Sequence, residues 1–194
     1  MIKYFLSLIL FLVSCSIANA QLTTTIQWQK GNTNNAGDTI FYDPYKKLTW
    51  DDFKDSPERK SIAAAITESG FGYRLEMQTR NSKTDIVITV LCFFNKMKSW
   101  VKPNTKSDYA LLHEQHHFDL SYIEACLFFQ KLKATQFTVE NCSSLLERIN
   151  DECYRDLKKM QNEYDGQTKN GQLKNIQAAW NKKIDLQLAG ISTN

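Results

Sequence analysis

The sequence predicts an α+β fold in which a small, mostly antiparallel sheet is followed by three packed helices. Segments with strand-like patterns are confined to the first half of the chain, whereas the pattern from Pro103 onward is helical. Strands that precede helices, rather than alternating with them, are typical of α+β proteins. The chain has 194 residues, which is enough for one ordinary domain and hardly for two.

The composition is that of a globular protein without a strong charge bias. Hydrophobic residues make up 42% of the chain and charged residues 23%, which excludes an intrinsically disordered chain. The formal net charge is +3, from 24 Lys and Arg against 21 Asp and Glu. This balance gives no reason to expect a nucleic-acid partner or a membrane-surface partner.

The N-terminal segment has the pattern of a secretory signal peptide. Lys3 is followed by the apolar stretch Tyr4 to Val13, which is too short to span a bilayer. Ala18-Asn19-Ala20 then provides an A-x-A cleavage site. We therefore expect residues 1–20 to be a signal peptide and residues 21–194 to form one domain of an exported protein, either periplasmic or secreted.

The cysteines carry two further predictions. Leu12-Val13-Ser14-Cys15 resembles a lipoprotein box, so a lipid anchor on Cys15 is an alternative to cleavage after Ala20, although the complete A-x-A site favours cleavage. An even number of remaining cysteines in an exported protein predicts two disulfides with three possible pairings, and buried free thiols are the alternative. These four residues are Cys92, Cys126, Cys142 and Cys153.

Four segments are predicted to be strands. Thr24 to Trp28 and Thr39 to Tyr42 are short candidates. Phe71 to Met77 alternates apolar and polar residues, which predicts one buried and one exposed face. Ile86 to Phe94 is apolar at both odd and even positions and is predicted to be covered on both faces. The intervening Arg80-Asn81-Ser82-Lys83 is expected to close a hairpin.

Three helices are predicted in the second half of the chain. The first has a capping-box pair, Thr105 and Asp108, and runs to about Ala134. The second runs from about Ser143 to Glu163 and is followed by interrupting glycines at Asp165-Gly166 and Asn170-Gly171. The third runs from about Leu173 to Leu188.

All three histidines of the chain lie in the run His113-Glu114-Gln115-His116-His117, which contains the pattern H-E-x-x-H. On a helix, residues i and i+4 share one face, so the imidazoles of His113 and His117 can bind one ion. Glu114 can then reach a water on that ion and act as general base. This predicts a zinc hydrolase site; the alternative is a hydrogen-bonded histidine pair on an ordinary core helix.

The helix that carries this motif is predicted to be packed into the core. A single apolar stripe of residues at helical spacing indicates this packing. A packed helix supplies the rigidity that a metal site requires. The stripe consists of Leu112, His116, Ile123 and Leu127.

The motif supplies two protein ligands and leaves the third open. Leu120 and Ile123 occupy the Gly and His positions of the extended zinc motif, so that pattern is absent. Glu124 lies about 10 Å beyond His117 on an unbroken helix, too far for the same ion, and Asp119 points to the opposite side. Carboxylates of the second helix or of the turn after it are therefore the candidates, namely Glu147, Glu152, Glu163 and Asp165.

Several segments of the chain, taken together with the motif, resemble one known family. They are Leu48-Thr49-Trp50-Asp51-Asp52-Phe53, Ala63-Ala64-Ala65-Ile66-Thr67, Ser99-Trp100-Val101, Leu112 to Asp119, and Tyr164-Asp165-x-x-Thr168. Together they resemble the DUF922 family of bacterial exported proteins, over roughly Leu48 to Ile184. The resemblance implies a zincin-like metallopeptidase that binds Zn²⁺ and cleaves a protein or peptide substrate. In such enzymes an edge strand holds the substrate, and either Phe71 to Met77 or Ile86 to Phe94 is expected to serve.

The resemblance also implies roles near the end of the second helix. Relatives commonly read Y-D-x-x-T-x-H-G, and this chain has Asn170 where they have the histidine. Either Asp165 is the third zinc ligand, or the site is weakened and the chain is a catalytically degenerate, zincin-fold binding protein. Tyr164 is a candidate to donate a hydrogen bond to the developing oxyanion. A zinc amidase that acts on cell-wall peptide is a further alternative.

Overall fold

The computed structural model of the chain describes residues 21–29 and 37–192. The predicted signal peptide, residues 1–20, lies outside the described residues, and so does Cys15. Within the described ranges, no helix is both long enough and apolar enough to cross a membrane.

A mixed four-stranded sheet is built around its longest strand, β5 (Lys83–Asn95). One edge of β5 pairs antiparallel with β4 (Ser69–Arg80) along its whole length. The other edge pairs in parallel with β1 (Gln21–Trp28) and, further along, antiparallel with β2 (Thr39–Phe41). The α+β prediction is confirmed, and the parallel entry of β1 makes the sheet mixed.

The hairpin between β4 and β5 forms where the sequence predicts it. Arg80 pairs with Lys83, and the two residues between them, Asn81 and Ser82, have φ values of 48° and 60°. Two positive φ values in a two-residue loop are the geometry of a type I′ turn, whose twist matches that of the flanking strands. Asn tolerates this backbone region better than most residues.

The central strand is fully buried on one face only. Alternate side chains from Ile86 to Phe94 are buried against the helices. On the opposite face Val87, Leu91 and Phe93 are half-buried, so the prediction of full cover on both faces is wrong for that face. The reason is that the first helix, residues 108–133, packs on the face of the sheet that carries Phe94, which contacts Phe118 of that helix.

Three helices complete the fold: α1 (Asp108–Lys133), α2 (Cys142–Thr168) and α3 (Lys174–Ser192). The first is central, because it packs on β4 and β5 on one side and on both other helices on the other. It is therefore enclosed over most of its circumference. The predicted single stripe is wrong in part, since Leu112 and Leu127 are 42% and 44% exposed.

Two helix boundaries differ from the prediction. The N-cap of α1 is Ser107, whose hydroxyl accepts from the Ala110 N–H at 3.1 Å, whereas Thr105 lies in a preceding 3₁₀ turn. The second helix continues through Asp165-Gly166 to Thr168. A helical glycine costs only about 1 kcal/mol, which the contacts of the adjacent residues on this turn outweigh. The helix ends where Lys169 and Asn170 both take a φ of 52°.

The predicted disulfides are absent, and the four cysteines described by the structure are buried free thiols. Cys142 and Cys153 lie on the same helix, about 16 Å apart along its axis, far beyond disulfide reach. Burial raises the pKa of Cys126 and of Cys153 to about 11. Such thiols are chemically inert and serve as small core side chains.

Candidate metal centre

Three side chains from two helices converge on one point. His113 and His117 lie one turn apart on α1, and Asp165 reaches them from α2. The two Nε2 atoms are 3.2 Å apart, and Asp165 Oδ1 lies 3.2 Å from His113 Nε2 and 3.0 Å from His117 Nε2. Among the described residues this is the one cluster of three potential metal-ligating side chains. The structure thus brings together the two motif histidines and Asp165.

The triangle of ligand atoms fits a small divalent cation. Bonds of about 2.0–2.2 Å at a tetrahedral zinc ion place neighbouring ligand atoms roughly 3.3–3.6 Å apart, a few tenths of an ångström more than the separations of 3.0–3.2 Å found here. Two imidazole nitrogens and a carboxylate oxygen this close repel one another unless a positive charge lies between them. The Asp165 side chain is 41% exposed, so the cluster is open on one side.

Two glutamines hold the histidine rings from behind. The side-chain carbonyl of Gln177 lies 2.8 Å from His113 Nδ1, and that of Gln161 is hydrogen-bonded to His117 Nδ1. A carbonyl oxygen only accepts, so each Nδ1 carries a proton and each Nε2 faces the cluster, where its lone pair can bind an ion once that nitrogen is deprotonated. Such outer partners orient metal-binding histidines.

The charge state of the metal-free cluster reflects its crowding. Burial opposes a charged His117, but the hydrogen bond that the ring donates to Asp165 and the charges of Glu114 and Asp165 raise the pKa of His117 to about 9. Burial likewise opposes a charged Asp165, yet hydrogen bonds from both histidines hold the pKa of this carboxyl well below its ordinary value. Without a metal, a proton therefore takes the place of the cation.

Glu114 lies beside the cluster with one carboxylate oxygen fixed. The hydroxyl of Thr67 donates to Glu114 Oε2 at 2.7 Å. The other oxygen, Oε1, has no hydrogen-bond partner within the described part of the chain. Glu114 is 7% exposed and its side chain lines the cleft that opens over the histidines. The carboxylate is thus oriented and still reachable, as a general base must be.

Tyr164 does not occupy the position predicted for an oxyanion donor. Its ring is fully buried and stacks on the His113 ring, with centroids 4.6 Å apart. Its hydroxyl accepts from Gln177 at 2.5 Å and donates to the His113 carbonyl at 3.4 Å. The tyrosine does not line the cleft. It supports the histidines instead, because its ring forms part of the wall against which they pack.

The remaining candidate ligands lie elsewhere. Glu152 pairs with Lys131 at 2.8 Å, and Glu147 and Glu163 are exposed away from the cluster. Asn170 lines the cleft without belonging to the ligand triangle. Asp119 does point to the opposite side of α1, where it accepts from Tyr42 at 2.9 Å.

The cluster opens into a cleft of about 280 Å³. Its floor is α1, one wall is α2, and the other wall is the segment 63–67. This segment includes a short strand, β3 (Ala65–Ile66), which pairs antiparallel with β6 (Trp100–Val101). The substrate-edge prediction is therefore wrong for Ile86 to Phe94, which is the central strand of the main sheet and has both edges paired.

The backbone of the 63–67 segment presents alternate groups to the cleft. The Ala64 carbonyl accepts from the Lys102 N–H at 2.9 Å, and the Glu68 N–H donates to Ser99 Oγ at 2.9 Å, both on the β6 side. Since backbone groups alternate in an antiparallel ladder, the N–H and C=O of Ala65 and Thr67 face away from β6. This edge of β3 is the one on the cleft side.

Sequence reasoning missed Thr67, Gln161 and Gln177 as site residues. Gln161 precedes Asp165 by four residues and so shares its helix face, a signal that a correctly extended α2 would have provided. Thr67 and Gln177 lie far from the motif in sequence, and their role follows from tertiary structure alone. Comparisons of the chain with protein-family models, curated proteins and solved structures found no match. The resemblance to the DUF922 family remains a prediction.

Proposed function

We propose that this chain is an exported, zinc-dependent metallopeptidase that hydrolyses peptide bonds. The observation that carries the proposal is the ligand triangle of His113, His117 and Asp165, open on a cleft beside the oriented carboxylate of Glu114. Two histidines, one carboxylate and an open position are the donor set of catalytic zinc sites, whereas structural zinc sites are closed by four protein ligands.

In the proposed hydrolysis, the metal, Glu114 and Thr67 have separate roles. When bound, zinc would supply Lewis acidity, which polarises a carbonyl group and acidifies water. Glu114 accepts the proton of the attacking water and returns it to the leaving amine. Thr67 holds the Glu114 carboxylate in place through its hydrogen bond of 2.7 Å.

The cleft suits an extended peptide. The edge of β3 that is unpaired among the described residues offers main-chain N–H and C=O groups, and strand addition to such an edge binds peptides without dependence on their side chains. The side chains along this wall are small or aliphatic, because residues 63–66 are three alanines and Ile66. A peptide on this edge lies over the floor that carries His113, Glu114 and His117.

The first test is the zinc content of the purified protein. We expect near one zinc per chain, loss of zinc in His117→Ala and a sharp reduction in Asp165→Ala. Glu163→Ala is the matched control, since this carboxylate is exposed on the same helix two residues earlier. Circular dichroism of each variant separates loss of the metal from loss of the fold. A wild-type protein that binds no zinc after incubation with the metal would overturn the proposal.

The second test is hydrolysis. Glu114→Gln is expected to keep the zinc and to lower peptide hydrolysis by about 10²- to 10⁴-fold, the usual contribution of a general base. A protein that binds zinc and hydrolyses no peptide of a broad panel, with no difference between wild type and Glu114→Gln, is the alternative: an exported binding protein with a degenerate site.

A further inference from the structure

The α2 wall of the cleft carries a row of polar side chains that leads away from the metal centre. Asp165, Gln161 and Lys158 recur at intervals of three or four residues, and Tyr154 continues the row. At 1.5 Å per residue, Lys158 lies about 10 Å from Asp165 along the helix axis. This row gives the cleft a direction, from the cluster at one end to Lys158 and Tyr154 at the other.

Lys158 is the one lysine or arginine among the residues that line this cleft. It forms no ion pair within the described part of the chain; its ammonium lies 5.8 Å from the centroid of the Tyr154 ring. The carboxylates that line the cleft are Glu114 and Asp165, both at the metal end. With zinc bound, the ion balances these two carboxylates, and Lys158 carries the unbalanced charge of the cleft.

The opposite wall offers no competing charge. It consists of Ala63, Ala64, Ala65 and Ile66, followed by the hydroxyl residues Thr67 and Ser69. An anionic group on a bound peptide would therefore meet one cationic partner on the walls, Lys158. Because Lys158 is exposed, solvent screens this attraction, and the expected contribution is that of an ion pair at the protein surface.

We propose that the cleft selects peptides with a carboxylate about three residues from the scissile bond, and that Lys158 binds this carboxylate. An extended chain advances about 3.3 Å per residue, so three residues cover the distance of about 10 Å between the metal centre and Lys158. The carboxylate is supplied by an acidic side chain or by the C-terminus of the peptide. This inference rests on the proposed function, of which it specifies the substrate class.

Peptide binding to zinc-loaded Glu114→Gln protein tests the inference without catalysis. Fluorescence anisotropy compares labelled peptides in which one Glu or Gln is moved through each position, each with a free and with an amidated C-terminus. We expect one Glu position, or the free C-terminus, to strengthen binding by about twofold to fivefold, because Lys158 is exposed and an ion pair with an exposed lysine contributes little free energy. Which of the two series responds identifies the source of the carboxylate.

Substitutions at two neighbouring lysines show whether Lys158 is the partner. In the Glu114→Gln background, Lys158→Gln is expected to abolish the preference and Lys158→Glu to reverse it in favour of a Lys-containing peptide. Lys159→Gln is the matched control, since Lys159 is the next residue of α2, is exposed, and does not line the cleft. It is expected to leave the preference unchanged.

The outcomes separate this inference from the proposed function. If wild-type protein cleaves peptides but neither binding nor cleavage distinguishes Glu from Gln or a free from an amidated C-terminus, the inference is overturned and the peptidase stands. If no peptide is cleaved but acidic peptides bind in a Lys158-dependent manner, the cleft is a binding site and the peptidase fails. Absence of binding to every peptide of the panel overturns the inference.

Discussion

Gln161 and His117 form a two-point contact between α2 and α1. The side-chain carbonyl of Gln161 accepts from His117 Nδ1, and its amide donates to the His117 backbone carbonyl at 2.9 Å. Because the amide must face a carbonyl, the orientation of the glutamine is fixed, and with it the tautomer of the histidine. The imidazole thus points its Nε2 at Asp165 through contacts that need no metal. The cluster is preorganised by the same helix that supplies Asp165, its third potential metal ligand.

Removal of this contact is expected to weaken zinc binding. Gln161→Leu keeps the size of the side chain but leaves His117 Nδ1 without its acceptor, and loss of such an outer partner typically lowers metal affinity by about 10- to 100-fold. Competition with a chelator measures the affinity. Gln161→Glu, which retains an acceptor oxygen, is expected to bind zinc nearly as well as wild type. Gln172→Leu, at an exposed position, is the control, and equal affinities for all variants would contradict the prediction.

Zinc binding is expected to release a proton near neutral pH. The pKa of His117 in the metal-free protein is raised to about 9, so this ring is protonated at pH 7.5 and must lose its proton to bind the ion. Zinc affinity should therefore increase with pH up to about 9. Calorimetric titrations in buffers of different ionisation enthalpy count the protons released. A binding enthalpy independent of the buffer would contradict the prediction.

The same pKa shift is expected to make the metal-free protein less stable as the pH rises, whereas zinc affinity increases with pH. His117 has a folded-state pKa above its ordinary value of 6.5, so its contribution is fully present below 6.5 and is lost as the pH rises through about 9. We expect the difference in unfolding free energy between wild type and His117→Gln, both without metal, to shrink between pH 6 and pH 9.5. Urea denaturation at a series of pH values measures it.

The parts of the site that the sequence predicts are those set by local spacing. His113, Glu114 and His117 share one helix, and helical geometry alone brings the two rings together. Asp165 was one of four candidate carboxylates for the third ligand, and it is the one that lies on the helix face that meets His117. Tertiary packing brings Thr67 and Gln177 to the site, and local sequence patterns do not encode that packing. The hairpin at Asn81 was predictable for the same local reason as the histidine pair.

A second buried polar network, around Asp119, is expected to stabilise the fold. Asp119 is fully buried and accepts hydrogen bonds from Tyr42 at 2.9 Å, Gln115 at 2.8 Å and His116 at 3.1 Å. Asp119→Ala leaves these donors without a partner and is expected to cost about 3–5 kcal/mol, as the breaking of a buried charged network does. Urea unfolding at pH 7 measures it, and Asp156→Ala, on an exposed position of α2, is the control.

The pH dependence of this network follows from the lowered pKa of Asp119. Burial opposes the charged carboxylate, but hydrogen bonds from His116, Gln115 and Tyr42 and the charge of Lys47 hold its pKa below the ordinary 3.8. The stabilisation is thus present above pH 3.8 and is lost as the pH falls through the lower folded-state value. The stability difference between wild type and Asp119→Asn should therefore decrease only in strongly acidic solution; a constant difference down to pH 2 would contradict this assignment.

The stability of the protein is expected to be independent of redox conditions, because its described cysteines form no disulfide. The four described thiols are buried and unpaired, so the melting temperature should be the same with and without reductant. A thiol reagent should modify them only after unfolding, because their burial also raises the pKa of Cys126 and Cys153 to about 11. A melting temperature that falls in reductant would show a disulfide instead.

Two glycines near the end of α2 are expected to respond in opposite ways to alanine. Gly171 has a φ of 79°, and a Cβ there would lie 3.4 Å from His113 Nδ1, beside the bond to Gln177. Gly171→Ala is expected to destabilise the protein by about 1–2 kcal/mol and to lower zinc affinity, because it strains the backbone and displaces the His113 ring. Gly166 lies within the helix, and a Cβ added there would have no neighbouring atom within 4 Å. Gly166→Ala is therefore expected to stabilise by about 0.5–1 kcal/mol without change in zinc affinity. Thermal denaturation and chelator competition on both variants check the pair, and equal zinc affinities would show that Gly171 has no role in positioning His113.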